Sequence, residues 1–307
     1  MGKIIAVCIS EKRGTQKKQV ESIELKPEHG IVGDAHAGNW HRQVSLLSFE
    51  KIDEFRKRGA DIDFGAFGEN IVCEGFDLRT LPVGTRFQIG DALLELTQIG
   101  KACHSHCEIY KTMGDCIMPR EGVFTIVLKG GTVKPGDEIE MIPPSDDRPF
   151  TAAVITLSDR ASKGIYEDKS GPVIREMLEE DGYQVIEQMV LPDGRNRLET
   201  ELMRLSDQRQ VNVIFTTGGT GFSERDLTPE ATKAVCDREV PGIGEALRNY
   251  SMQFTPNAML SRQTAGIRKR TLIVNLPGSP KACSEDLEFL LGPLKHGVGI
   301  LRGTVSE

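Results

Sequence analysis

One stretch of this 307-residue chain, VNVIFTTGGTGFSERDLTPE from Val211 to Glu230, limits what the chain can fold into. Val211, Val213, Ile214 and Phe215 form a short β-branched and aromatic run bounded by glycines, which reads as a buried parallel strand. Thr216-Thr217-Gly218-Gly219-Thr220-Gly221 follows at once, and glycines there let backbone N–H groups face outward with no Cβ in the way. Thr228-Pro229-Glu230 then opens a helix, with Thr228 expected as N-cap and Pro229 at the first helical position. Strand, glycine turn and helix N-terminus together make a cradle for an anion, because unpaired N–H groups and the helix dipole both attract phosphate. The spacing matches neither the P-loop nor the dinucleotide pattern, so a purely structural turn stays open beside a phosphate or nucleotide site. Asp226 bears on that choice. A carboxylate in such a loop repels phosphate unless a cation such as Mg²⁺ lies between them.

The length leaves room for two domains of about 150 residues each. A net charge of −7 argues against nucleic acid as a partner. No apolar run approaches the ~18–20 residues of a membrane span, and the opening MGKIIAVCIS lacks a signal-peptide layout. Seven cysteines, an odd count, make a disulfide framework unexpected and point to a reducing cytoplasm.

The run Ile142-Pro143-Pro144-Ser145-Asp146-Asp147-Arg148-Pro149 suits an exposed linker, and it sets expected domains at 1–143 and 151–307 with residues 144–150 between them. Before it the pattern is short strands and turns. Lys3–Ile9, Val44–Leu47, Ile71–Cys73, Arg86–Ile89, Ala92–Ile99, Phe124–Leu128 and Glu138–Ile142 are the candidates, with one helix at Ser48–Arg58. A mostly-β barrel or sandwich is expected there. After the linker, strands at Ala152–Leu157, Tyr183–Val190, Val211–Thr216 and Leu272–Leu276 alternate with helices. Ser170 is expected to cap the first of these, and Ser284–Leu301 forms the last. That rhythm implies an α/β domain with a mainly parallel sheet covered on both faces.

In such sheets ligands bind at the carboxyl ends of the strands. The four ends here carry Ser158-Asp159, Leu191-Pro192-Asp193, Thr217–Gly221, and Asn275 to Pro280 with Pro277, Gly278 and Ser279. Each is weak alone, since polar residues and prolines at strand ends are commonly turns. Their convergence, with acidic residues beside a glycine cradle, points to nucleotidyl or phosphoryl transfer assisted by Mg²⁺.

These motifs resemble the molybdopterin adenylyltransferases of the Mog type. The run Thr216–Gly221, Arg225-Asp226, Thr228-Pro229-Glu230, Met259-Leu260-Ser261-Arg262 with Ala265-Gly266, and Asn275–Pro280 carry the likeness, which spans about residues 151–305. The resemblance implies a three-layer α/β fold and a trimer. It also implies adenylylation of the terminal phosphate of molybdopterin from Mg·ATP with release of pyrophosphate. Carried over, Asp193 and Asp226 match the acidic positions linked to Mg²⁺ and catalysis. Gly218, Gly219, Thr220 and Gly221 match the loop along the nucleotide phosphates. Ser261 matches a serine contacting the pterin or its phosphate, and Pro277, Gly278 and Ser279 shape the nucleotide pocket. Glu230 is open between a role through metal or water and a favourable first-turn charge. Ser261 is open between that contact and a helix or turn cap.

The first half resembles the MOSC domain, named for the C-terminal part of molybdenum cofactor sulfurases. Gly30-Ile31-Val32-Gly33-Asp34-Ala35-His36, His41-Arg42-Gln43-Val44, Gly68-Glu69-Asn70-Ile71, Gly100-Lys101-Ala102-Cys103-His104 and Pro119–Phe124 carry it. The resemblance implies a domain that binds, delivers or sulfurates molybdenum cofactor, with Cys103 carrying sulfur and no part for pyridoxal phosphate. A molybdenum-inserting enzyme, a sulfur donor and recipient molybdoenzymes are the partners it suggests. Three readings of Cys103, Cys107 and Cys116 stay open: a persulfide on Cys103 near Lys101 and His104, a soft-metal site, or inert core thiols. His36 and His41 are open between a pterin-phosphate contact and a structural part. A protein that binds or stores the cofactor without turnover is the rival from another class, and it has no need of Asp193 and Asp226.

Overall fold

The computed structural model describes residues 1–103, 110 and 113–305. The chain divides into two compact units, Met1–Ser145 and Asp146–Glu307.

The first unit is built on β1 (Gly2–Ile9), β2 (Lys18–Val20), β3 (Ile23–Lys26), β4 (Gly30–Ile31), β5 (Val44–Ser48), β6 (Ile71–Glu74), β7 (Arg86–Ile89), β8 (Ala92–Ile99), β9 (Val123–Lys129), β10 (Gly131–Val133) and β11 (Glu138–Ile142). Strands run in the order β11-β7-β8-β9-β5-β6-β1, and β11 pairs back onto β1, which closes a barrel. The closing register is Gly2 opposite Ile139 and Lys3 opposite Glu138. Only closure of this kind removes the sheet edges. β8 shows why the interior fills: Ala92, Leu94 and Leu96 alternate inward, as a period of two requires. They meet Phe87, Ile89, Val44, Leu46 and Ile71 in one buried cluster. Helix α1 (Phe49–Lys57) and the short α2 (Met118–Glu121) cover a second cluster, in which Ile52, Phe55, Phe67, Cys116 and Met118 pack. The short strands β2, β3, β4 and β10 are additions to the sequence expectation. The last three form a separate small sheet.

A buried polar group marks this unit. Glu69 is fully buried and accepts hydrogen bonds from the amides of Gly65 (2.7 Å) and Phe67 (3.0 Å). Burial pushes its carboxyl up to about 7. A carboxyl whose pKa is higher folded than unfolded contributes stability that is present at low pH and lost as pH rises through about 7. The first unit is therefore expected to gain ~3 kcal/mol from this group between pH 8 and pH 5, at ~1.4 kcal/mol per pK unit. Glu69→Gln is expected to flatten that slope. Urea midpoints followed by fluorescence of Trp40, the one tryptophan of the chain, check it on this unit alone.

The second unit is a six-stranded sheet in the order β13-β12-β14-β17-β16-β15. Its strands are β12 (Thr151–Leu157), β13 (Gln184–Leu191), β14 (Val213–Thr217), β15 (Arg238–Glu239), β16 (Ala265–Arg268) and β17 (Thr271–Leu276). The first four in sheet order are parallel, and β16 and β15 add an antiparallel edge that the sequence reading left out. The helices are α3 (Asp159–Ser162), α4 (Ser170–Glu180), α5 (Arg195–Met203), α6 (Thr228–Val235), α7 (Pro241–Ser251) and α8 (Pro280–Arg302). Alternate residues of β12 point to opposite faces. Ala152 and Val154 pack with α4, α7 and α8 through Ile174, Leu247 and Leu287. Ala153 and Ile155 pack with α5 and α6 through Leu198 and Ala231. Both faces are thus buried, which is why β12 and β14 read as unbroken apolar runs. Ser170 is not the cap of α4. Lys169 holds the N-cap position, and Asp168 just before it satisfies the first amides, its Oδ1 accepting from Ser170 and Gly171 (both 3.1 Å), while the Ser170 hydroxyl donates to the Gly278 carbonyl (2.9 Å).

Candidate functional site

Parallel register sets the site's position. Thr156 of β12 lies opposite Thr217 of β14, which lies opposite Leu276 of β17, and Leu157 pairs with Leu191 of β13. The four strands therefore end level, and Ser158, Asp193, Gly218 and Pro277 leave the sheet along one edge.

The glycine loop is shaped by contacts only glycine allows. Gly218 (φ +93°) and Gly219 (φ +65°) are both left-handed. A Cβ on Gly218 would run into the Leu157 carbonyl, and one on Gly219 into the Thr228 hydroxyl. Thr228 is not the N-cap of α6: Leu227 holds that place without a side-chain cap. The Thr228 hydroxyl instead donates to the Gly218 carbonyl (2.9 Å), and its amide to the Gly219 carbonyl (3.2 Å), so the helix start is tied back onto the loop. The amides of Gly219, Thr220 and Gly221 make no hydrogen bond among the described residues. Three successive donors are thus left beside the N-terminus of an eight-residue helix.

Asp193 and Asp226 each have hydrogen-bond partners of their own. Asp193 is joined to Asp159. The Asp193 amide donates to Asp159 Oδ1 (3.2 Å), and the Asp159 amide to Asp193 Oδ2 (3.1 Å). Arg225 then donates to Asp159 Oδ2 (3.2 Å). Asp226 folds back onto its own loop, Oδ2 accepting from the Ser223 amide (2.9 Å). Asp193 and Asp226 each keep Oδ1 without a hydrogen bond among the described residues. Such a donor set suits Mg²⁺, a hard cation held by one or two carboxylates together with substrate phosphate and water. Among the described residues no cluster of three or more His, Cys, Asp or Glu could hold a metal alone.

Arg262 is the residue that sequence reasoning passed over. Its amide donates to Thr220 O (2.9 Å), Nε to Gly221 O (2.8 Å), Nη2 to Asp226 O, and Nη1 pairs with Glu230. One guanidinium thus ties the glycine loop, the Asp226 turn and the first turn of α6 together. It stands in the motif Met259-Leu260-Ser261-Arg262, but nothing in spacing says that a residue 36 positions on reaches Asp226. Glu230 is accordingly engaged by Arg262.

Other candidates are used by the chain itself. Ser158 caps α3, its hydroxyl oxygen accepting from the Ala161 amide (3.2 Å), and Ser279 caps α8 by accepting from Ala282 (3.1 Å). Thr217 donates to the Pro277 carbonyl (2.6 Å), and Gly278 packs against Gly218. Ser261 follows a short 3₁₀ turn and donates to Gln263 Oε1 (3.0 Å). It opens on a cavity of about 290 Å³ whose lining includes Thr220, Gly221, Ser251, Gln263 and Pro277.

In the first unit Cys103 is exposed and in no disulfide, whereas Cys116 is buried in the apolar cluster under α1 and α2. Cys116 therefore fits the core-thiol reading. Cys103 lies outside any helix, and Cys107 and His104 lie outside the described residues. Arg42 and Lys101 approach the Phe124 ring, at 5.5 and 6.0 Å from its centre. His41 pairs with Gln98 (2.9 Å), and His36 with Asp34 (3.2 Å), which is also bound to the buried Lys17 at 2.5 Å. His36 is thus engaged by a buried ion pair.

Comparison with known proteins bears on each unit. A family model described as "Probable molybdopterin binding domain" matches residues 153–296, and one described as "MOSC domain" matches residues 33–140. The second unit is 45% identical over 156 residues to a protein of Helicobacter pylori named molybdopterin adenylyltransferase, covering 89% of that protein and 50% of this chain. It is 46% identical over 138 residues to the Escherichia coli K12 protein of the same name, covering 70% of it and 44% of this chain. A crystal structure titled as the molybdopterin biosynthesis enzyme MoaB of Thermus thermophilus is 41% identical, with a TM-score of 0.48, covering 97% of that chain and 50% of this one. Among the described residues no helix is long and apolar enough to cross a membrane.

Proposed function

Because this chain belongs to the molybdopterin adenylyltransferase family through its second unit and carries a MOSC domain in its first, we propose that it transfers an adenylyl group from Mg·ATP to the terminal phosphate of molybdopterin. The observation that carries this reading is the row of amides at Gly219, Thr220 and Gly221 that make no hydrogen bond among the described residues, beside the α6 N-terminus, with Asp226 in the turn that follows and Asp193 leaving the same sheet edge.

A phosphate oxygen of molybdopterin attacks the α-phosphorus of ATP. A new P–O bond forms, the bond to the β-phosphate breaks, and its electron pair leaves on pyrophosphate. No protein nucleophile is required, so rate comes from positioning and from neutralising charge. Gly219, Thr220 and Gly221 would receive phosphate oxygens on backbone N–H groups. Asp193 and Asp226 would hold Mg²⁺, which supplies charge neutralisation on the polyphosphate. Asp159 holds Asp193 in place, and Arg262 holds the loop. Ser261 and the cavity beside it would take the pterin. Purified chain with Mg·ATP and molybdopterin is expected to release pyrophosphate. No release with either substrate omitted completes the result, and no release with both present would refute it.

In the first unit, Cys103 is proposed to carry sulfur for the cofactor. Its thiolate would attack the outer sulfur of a persulfide donor, and the donor's thiolate would leave. The exposed position of Cys103 supports this over the core-thiol reading. Cys103→Ala is expected to abolish persulfide labelling of donor-treated protein, read by mass, without loss of pyrophosphate release. An unchanged label would move the role to another cysteine.

A further inference from the structure

Among the described residues of the second unit, one carboxylate is fully buried, and the proposed phosphate chemistry makes no use of it. This is Asp286, on α8. Its Oδ1 accepts from the Ser251 hydroxyl (2.7 Å), and its Oδ2 from Gln263 Nε2 (3.4 Å). Gln263 is 3% exposed, and its other amide atom, Oε1, accepts from the Ser261 hydroxyl (3.0 Å). Ser251, Ser261 and Gln263 all line the same cavity. An ionised carboxylate only accepts, so Gln263 must turn its NH₂ group toward Asp286 and its carbonyl toward Ser261. The Ser261 hydrogen is then committed to Gln263, and its oxygen, which accepts the Gln263 backbone amide only at 3.4 Å, keeps a second lone pair for a donor in the cavity.

We infer that Asp286 is a positioning residue which, through Gln263, fixes Ser261 as a hydrogen-bond acceptor for N–H groups of a planar heterocycle in the cavity. This rests on the proposed adenylyl-transfer reading, in which that heterocycle is the pterin. Protonation reverses the chain of bonds. A neutral Asp286 donates, Gln263 turns over to present Oε1 to it, and Gln263 Nε2 then donates to Ser261 Oγ. The Ser261 oxygen is occupied and its hydrogen is turned to the cavity, where it meets an N–H group donor to donor.

Charges around Asp286 place this reversal in an accessible range. Burial raises its carboxyl to about 6 against the hydrogen bonds from Ser251 and Gln263, and Glu285 on the same helix adds to the rise. Cys283, one turn earlier on α8, is held neutral by its own burial, which pushes its thiol up to about 12. Arg248 of α7 is engaged at the Gln263 carbonyl (2.7 Å).

The test is anaerobic titration of molybdopterin onto the full chain, read by binding, with pyrophosphate release measured in parallel. Wild-type affinity is expected to fall about tenfold between pH 7.5 and pH 5, the loss of one hydrogen bond. Asp286→Asn, which keeps the shape and puts an amide where the neutral acid would be, is expected to bind about tenfold more weakly at pH 7.5, with no pH dependence and an unaltered KM for ATP. Ser251→Ala removes a donor to the carboxylate and is expected to move the midpoint of the wild-type curve upward. An Asp286→Asn chain with wild-type affinity and wild-type pH dependence would overturn the inference. If that variant does not fold, an unmoved midpoint in Ser251→Ala overturns it instead. Absence of pyrophosphate release from wild type would sink the adenylyl-transfer reading, while the binding curves still judge Asp286.

Discussion

Asp226→Asn is expected to lower pyrophosphate release by about a hundredfold to a thousandfold while the thermal midpoint stays within a degree or two of wild type. The residue is half-buried, and its Oδ2 accepts from the Ser223 amide at 2.9 Å. An asparagine carbonyl makes the same bond, so the turn survives. What disappears is the negative charge on the remaining oxygen, which in the proposed reaction would help to hold Mg²⁺. Raised Mg²⁺ is expected to recover part of the loss, because a weakened site still fills by mass action. A rate within threefold of wild type would remove Asp226 from the chemistry.

Gly219→Ala is expected to do comparable damage by another route. At φ +65° an alanine costs ~1–2 kcal/mol in the left-handed region before any contact is counted. Its Cβ also meets the Thr228 hydroxyl, which is bonded to the Gly218 carbonyl at 2.9 Å. Thr228 must move, and the loop and the start of α6 separate. Activity is expected to fall more than a hundredfold, because displacement of a positioning group by an ångström is worth about that much. The second unit is expected to lose ~2–3 kcal/mol, read from its urea midpoint. Gly242→Ala is the control. Gly242 lies in the first turn of α7 with nothing within 4 Å of a new Cβ, so alanine there is neutral or slightly stabilising.

Much of the site was legible because it depends on strand ends. A parallel sheet with short connections brings its carboxyl ends to one edge, so Ser158, Asp193, Gly218 and Pro277 could be grouped from order alone. Pairing within that edge could not. Asp193 bonds with Asp159, and the bond is made by backbone amides at two loop starts whose relative height is set by the β12–β13 register. Arg262 escaped for the same reason, since its four attachments lie in segments up to 42 residues away. Caps were misread where two capping residue types stand close together. Asp168 and Ser170 are both capping types, yet the N-cap position falls on Lys169 between them; Asp168 reaches the first amides, and Ser170 is drawn to the Gly278 carbonyl. Barrel closure was legible only as a class. Strands that meet at Lys3 and Glu138 are far apart in sequence, and nothing local announces their partnership.

In the proposed reaction the second unit joins AMP to molybdopterin rather than merely holding the pterin. That reaction is tested most directly by incubating the full chain anaerobically with molybdopterin, Mg²⁺ and ATP labelled at the α-phosphate, then weighing the pterin. Label is expected on the pterin as an adenylyl ester, with one pyrophosphate released for each ester formed. Pterin recovered unlabelled from the protein, with ATP unconsumed, would contradict it and leave a binding protein in its place.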